Sequence, residues 1–146
     1  MKVVIAIDEE QSAKTALEYT LKGKYDKNTE FYMVHAIAPS FADAPVEGIP
    51  DVVAEERQEE QVILDNLANA LRQKLGAKIQ TGIFYGEIAQ VIADECKHFD
   101  ADETIIPSHA RHGFSRLWFG SVADEIVDAA PCTVIVLKMP QTNKAH

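Results

Sequence analysis

Apolar runs of strand length recur along the chain, separated by stretches in which apolar residues return every three or four positions. Val3 to Asp8 is an apolar, β-branched run ending in acids, the pattern of a strand buried on both faces of a parallel sheet. From Ser12 to Lys22, Ala13, Ala16, Leu17 and Thr20 fall at helical spacing, with Ser12 the expected N-cap and Gly23 the stop. Phe31 to Ile37 reads as a second strand, with Pro39 behind it. Residues 38–50 carry three prolines and one glycine, which predicts a loop and the most mobile element of the chain. From Asp51 to about Leu75 the period turns helical, with Val52, Val53, Val62, Ile63, Leu67, Ala70 and Leu71 on one stripe and Glu55 to Glu60 on a solvated face.

Lys78 to Phe84 alternates as a third strand, and Gly86 and Glu87 open a helix to about Phe99 through Ile88, Val91, Ile92 and Cys96. Thr104 to Ile106 is a fourth strand that Pro107 is expected to stop. Val122 to Ala129 is a fourth helix behind Gly120 and Ser121, and Thr133 to Leu137 is a fifth strand between Pro131 and Pro140. Strand and helix alternate throughout. With right-handed crossovers this gives an α/β fold: a doubly wound, open, parallel five-stranded sheet with helices on both faces. No internal repeat or boundary divides it, so residues 1–140 are expected to form one domain and 141–146 a polar tail. Ligands of such sheets bind beyond the carboxyl ends of the strands where strand order reverses.

Composition narrows the function classes. The 146 residues carry a formal net charge of -9, whose field repels nucleic-acid backbones and anionic membranes. Five apolar residues before Asp8 are too few for a signal-peptide core, and no run reaches the length of a membrane span, so a cytoplasmic protein is expected. Cys96 and Cys132 lack any disulfide-framework or metal-ligand spacing and read as free thiols in a reducing compartment.

Against this acidic background, residues 108–121 (SHARHGFSRLWFGS) carry His109, Arg111, His112 and Arg116 and no acid. Gly120 and Ser121 then start a helix, where free backbone N–H groups and the helix dipole favour an anion of phosphate size. The alternative is a plain helix cap, with the arginines solvated or paired to Asp94, Asp124 and Asp128.

The opening strand into Asp8, His35 closing the second strand, Ser108-His109, the block from Ser115-Arg116-Leu117 to Gly120-Ser121-Val122-Ala123, and Ala130-Pro131-Cys132 together resemble the universal stress protein family, from Lys2 to Lys138. The resemblance implies an adenine nucleotide alpha-hydrolase-like fold with strand order 3-2-1-4-5. It also implies an adenosine site at Asp8 and the backbone of Ala6 and Ala36, and a phosphate site at Gly120, Ser121 and Val122. Members of the family that bind ATP resemble one another in a loop of form G-x2-G-x9-G-[ST]. Here those positions hold Pro107, Ala110, Gly120 and Ser121, and Ser108, His109 and Arg111 lie between them. Half of the glycine pattern is replaced: proline removes an N–H, and the alanine methyl crowds a close ligand. The cofactor implied is ATP, with magnesium, weakened by those two positions. In the family the last strand, residues 132–137 here, pairs with its counterpart, which implies a homodimer.

Two functions stay open at this stage. One is a regulatory module that binds ATP or a related adenine nucleotide, with at most slow hydrolysis. The other is a nucleotide-free dimer that acts through a protein partner, engaged by the dimer surface or by residues 38–50. No complete catalytic constellation supports an enzyme: His109 and His112 lie near Ser108 and Ser121, but no orienting third group or nucleophile elbow accompanies them. His35 at a strand end reads as structural. Phe114, Trp118 and Phe119 read as packing beneath the loop.

Overall fold

A computed structural model describes residues 1–38, 50–108 and 120–140, with the side chains of 50–56, 120 and 121 left aside. The chain runs β1 (Lys2–Ile7), α1 (Glu10–Lys22), β2 (Glu30–Ile37), α2 (Pro50–Leu75), β3 (Lys78–Tyr85), α3 (Ile88–Phe99), β4 (Glu103–Ser108), α4 (Gly120–Ala129) and β5 (Thr133–Lys138). All strand pairs are parallel and the order is β3-β2-β1-β4-β5, as the sequence led us to expect.

Alternation along the buried strands explains the two layers. Val3, Ile5, Ile7, Phe31, Met33 and Ile105 face α1 and α2, where they meet Ala13, Ala16, Leu64, Leu67 and Leu71. Val4, Ala6, Val34, Ala36 and Ile106 face α3 and α4, against Ile88, Ala89, Ile92, Cys96, Ala123 and Ile126. Each fully buried large side chain contributes roughly 1.5–3 kcal/mol of transfer free energy.

Four details depart from the sequence reading. Ser12 is not the N-cap of α1. Glu9 is, with extended backbone, and Ser12 sits one turn into the helix. The N–H groups of Asp8 and Glu9 donate to Ser12 Oγ at 3.1 Å each, while Ser12 Oγ donates to the Glu9 carbonyl at 2.8 Å. The stripe of α2 runs through Leu64, Leu67, Ala68 and Leu71, and Val62 is 56% exposed. Glu60, one turn before Leu64, turns inward toward His35 and leaves the solvated face. Finally, β4 continues through Pro107, which pairs with Leu137 of β5. The Ser108 carbonyl accepts from Met139 N–H on the β5 side, so the backbone of Pro107 faces the opposite side, toward β1. The pairing with β1 ends at Ile5 and Ile105, where continuing it would need the N–H that Pro107 lacks, while the pairing with β5 runs on.

The amino edge of the sheet is held by a buried carboxylate. Glu103 accepts from Tyr25 Oη at 2.7 Å and from Lys24 Nζ in a close ion pair. Tyr25 also meets Phe31 edge-on, with ring centroids 5.6 Å apart. The Lys24 pKa is raised, first by this bond to Glu103. Burial, then the bond to Glu103, raises the Tyr25 phenol, and burial, then a 2.7 Å bond to Glu95, raises that of Tyr32. Burial also pushes the Cys96 thiol from its ordinary 9.0 to about 12 and raises that of Cys132.

In the four groups with raised pKa that are neutral when protonated, the two phenols and the two thiols, the fold favours the neutral form. Their contribution is complete below the unfolded values, 9.0 for the thiols and 10.0 for the phenols, and is lost as pH rises beyond them. The urea midpoint is therefore expected to stay level from neutrality to about pH 9 and to fall above it, each titrating group adding up to roughly 1.4 kcal/mol per pH unit. A midpoint that holds level to pH 11 would contradict this assignment.

Candidate functional site

The sheet divides at its carboxyl end. β1 stays paired with β2 up to Ile7 with His35, and β4 stays paired with β5 up to Ser108 with Lys138. Between β1 and β4, however, pairing stops at Ile5 with Ile105. The next pair would need an N–H from Pro107, which proline lacks, so the ladder ends there; strand order reverses between β1 and β4, the place where such sheets take ligands.

Asp8 stands at the end of β1 on this edge, 3% exposed. The Ser12 hydroxyl holds its backbone and that of Glu9, so the turn out of β1 is fixed from α1. Ala6, Ala36 and Val122 are brought together in the α3–α4 layer, the two alanines buried and the valine half-buried. Pro107 is buried and Ser108 half-buried at the end of β4. Gly120, Ser121 and Val122 form the first turn of α4, whose leading N–H groups have no acceptor within the helix. The positions of His109, Ala110 and Arg111 lie outside the described residues, as do 39–49, 112–119 and the tail 141–146.

His35 explains how this edge is held. Its Nδ1 stands 2.7 Å from the Ile7 carbonyl, which can only accept, so Nδ1 carries a proton. Nε2 lies 3.1 Å from Glu60 Oε2 on α2. The ring thus ties the end of β1 to β2 and to α2, one residue before Asp8. Gly86 N–H donates to the Ile37 carbonyl at 3.0 Å and secures the end of β2 from the other side. Glu60 is the residue that sequence reasoning missed. Its signal was its place one turn ahead of Leu64, Leu67 and Leu71 on the inward stripe.

Two hollows lie elsewhere: one of 150 Å³ between α1 and α2, lined by Ala13, Leu17, Ile63 and Leu67 among others, and one of 320 Å³ along Arg57, Gln58, Gln61 and Ile83. Among the described residues, no three of His, Cys, Asp or Glu gather as metal ligands, and no helix is long and apolar enough to cross a membrane.

Comparison with known proteins agrees with this architecture. A universal stress protein of Methanocaldococcus jannaschii is 26% identical over 141 residues, covering 96% of this chain and 83% of that one. A universal stress protein family protein from Arabidopsis thaliana, solved with AMP bound, superposes with a TM-score of 0.70 at 20% identity, covering 97% of this chain and 93% of that one. The universal stress protein from Archaeoglobus fulgidus in complex with dAMP gives 0.58 at 24% identity, over 93% and 96%. The universal stress protein family description matches residues 1–138. With the parallel order β3-β2-β1-β4-β5 already in place, that match assigns the chain to the universal stress protein family.

Proposed function

We propose that this protein is a regulatory module that binds ATP or a related adenine nucleotide in the crevice between the ends of β1 and β4. The observation that carries the reading is the reversal of strand order between β1 and β4, with Asp8 following the carboxyl end of β1 and α4 following β4. The carboxylate of Asp8 suits the hydroxyls of a ribose. The N–H groups of Gly120, Ser121 and Val122, which have no acceptor within the helix, suit a phosphate, aided by the helix dipole. His109 and Arg111 add positive charge in the sequence between them. Relatives solved with AMP and dAMP give the reading its ligand class. Magnesium would arrive on the phosphates of ATP.

Calorimetric titration with ATP and with AMP tests this, alongside a protein carrying His109→Ala and Arg111→Ala. Saturable binding weakened in the double variant supports the reading; no heat at millimolar nucleotide from a folded protein overturns it. Pro107 and Ala110 bear on affinity. Glycine at 107 restores an N–H that faces the crevice, and glycine at 110 removes a methyl. The Pro107→Gly, Ala110→Gly protein is expected to bind roughly tenfold tighter, about one added hydrogen bond's worth. Equal or weaker binding would mean that these positions do not meet the ligand.

The same reading includes a homodimer through β5. This strand is an edge of the sheet, and Val136 on it is 44% exposed. Val136→Lys is expected to sediment as a monomer while the wild type sediments as a dimer; a dimer in both would remove β5 from the interface.

A further inference from the structure

One peptide unit at the carboxyl end of β1 is pinned on both sides. The Ile7 carbonyl accepts from His35 Nδ1 at 2.7 Å, and the N–H of the same unit, that of Asp8, donates to Ser12 Oγ at 3.1 Å. A peptide unit is planar, so a partner at each end fixes its tilt and with it the entry of the chain into Asp8. The three residues are buried: His35 is 4% exposed, Ser12 2% and Asp8 3%. The imidazole has a second fixed partner. Its Nε2 lies 3.1 Å from Glu60 Oε2, so α2 holds the ring at the angle that aims Nδ1–H at Ile7. On β3 the residue in register with His35 is Ile83, whose side chain offers the ring no competing polar group.

We propose that His35 is a positioning residue for the ligand site: oriented by Glu60, it sets the Ile7–Asp8 peptide unit so that the Asp8 carboxylate is preformed to meet ribose hydroxyls. This role rests on the nucleotide reading above and gives the strand-end histidine a part in which it touches no ligand. A carboxylate held in place before the ligand arrives needs no ordering on binding, and that saving appears as affinity. Three elements contribute: β2 through His35, α1 through Ser12 and α2 through Glu60. Both helices of that layer thus bear on a residue that neither of them carries.

Two amides divide the two bonds of the ring. Asparagine can place its side-chain nitrogen where Nδ1 stands and keep the bond to Ile7; glutamine reaches instead to the position of Nε2 and keeps Glu60 as its partner. Calorimetric titration with AMP is expected to give His35→Asn an affinity within about threefold of wild type and His35→Gln one roughly tenfold weaker, although both variants lose stability. Hydrogen exchange of the Asp8 amide reads the pin without ligand. It is expected to stay slow in the wild type and in His35→Asn and to speed up at least roughly tenfold in His35→Gln. Equal affinities for the two variants, whether both near wild type or both weakened, overturn the positioning role, as does Asp8 exchange that does not distinguish them. A wild type that binds no AMP while the exchange result holds overturns the nucleotide reading, and the positioning role with it, leaving the pinned peptide unit as structure alone.

Discussion

A Ser121→Glu protein folds as stably as the wild type and binds adenine nucleotides at least roughly 30-fold more weakly. The two halves of this result come from one piece of physics. A carboxylate in the first turn of α4 interacts favourably with the helix dipole, worth about 0.3–1 kcal/mol, so the free protein is not harmed. The same charge then stands where the phosphate would dock. It opposes the ligand by direct repulsion and uses the N–H groups that would have received it; together these amount to about 2 kcal/mol or more, hence the fold-change. Thermal unfolding with and without nucleotide reads both halves in one experiment. The ligand-induced rise in melting temperature should vanish in the variant while the ligand-free value is kept. If the variant keeps the full rise, the phosphate lies elsewhere.

Phe31→Ala should lose about 3–5 kcal/mol of stability, the cost of deleting a large buried ring whose site cannot fully collapse. Phe31 has no exposed surface, sits on β2 between β1 and β3, and meets the edge of Tyr25. A loss of this size is a large fraction of the 5–15 kcal/mol typical of a domain, and a fall in melting temperature of roughly 10 °C or more follows. Val62→Ala provides the contrast, since a valine 56% exposed loses little on truncation. Urea unfolding of the two proteins checks the pair. Equal losses would mean that the α1–α2 layer does not carry the core weight assigned to it.

The fold was legible because buried parallel strands announce themselves as short apolar runs. Val3 to Ile7 and Phe31 to Ile37 have few rivals for that role, and the helices between them carry clear periods. What local reading missed depends on neighbours far away in sequence. Pro107 looked like a stop because a central strand normally needs its N–H. It is tolerated because β4 stays paired with β5 through Pro107 and Ser108, so only the bond toward β1 is lost. Glu60 looked solvated within a run of acids, yet α2 carries it over the end of β2, where His35 meets it. Ser12 looked like a cap; the turn after β1 draws its hydroxyl back to the N–H groups of Asp8 and Glu9.

The candidate site was legible in parts. Asp8, Ala6, Ala36 and Gly120 to Val122 do fall at the carboxyl edge of the sheet, Ala6, Ala36 and Val122 within one cluster. The residues from His109 to Arg111 entered through their charge and spacing, and their placement lies outside the described residues. Cys96 and Cys132, which no spacing rule connected, belong to one packed layer with α3 and α4.

If an adenine nucleotide sits between β1 and β4, titration of isotope-labelled protein with AMP, followed by backbone amide resonances, gives saturable shifts concentrated at Ala6 to Glu9, Ser108 and Gly120 to Val122, with residues on the amino edge such as Tyr25 and Glu103 unmoved. Shifts absent at millimolar AMP, or gathered away from the crevice, would contradict that placement.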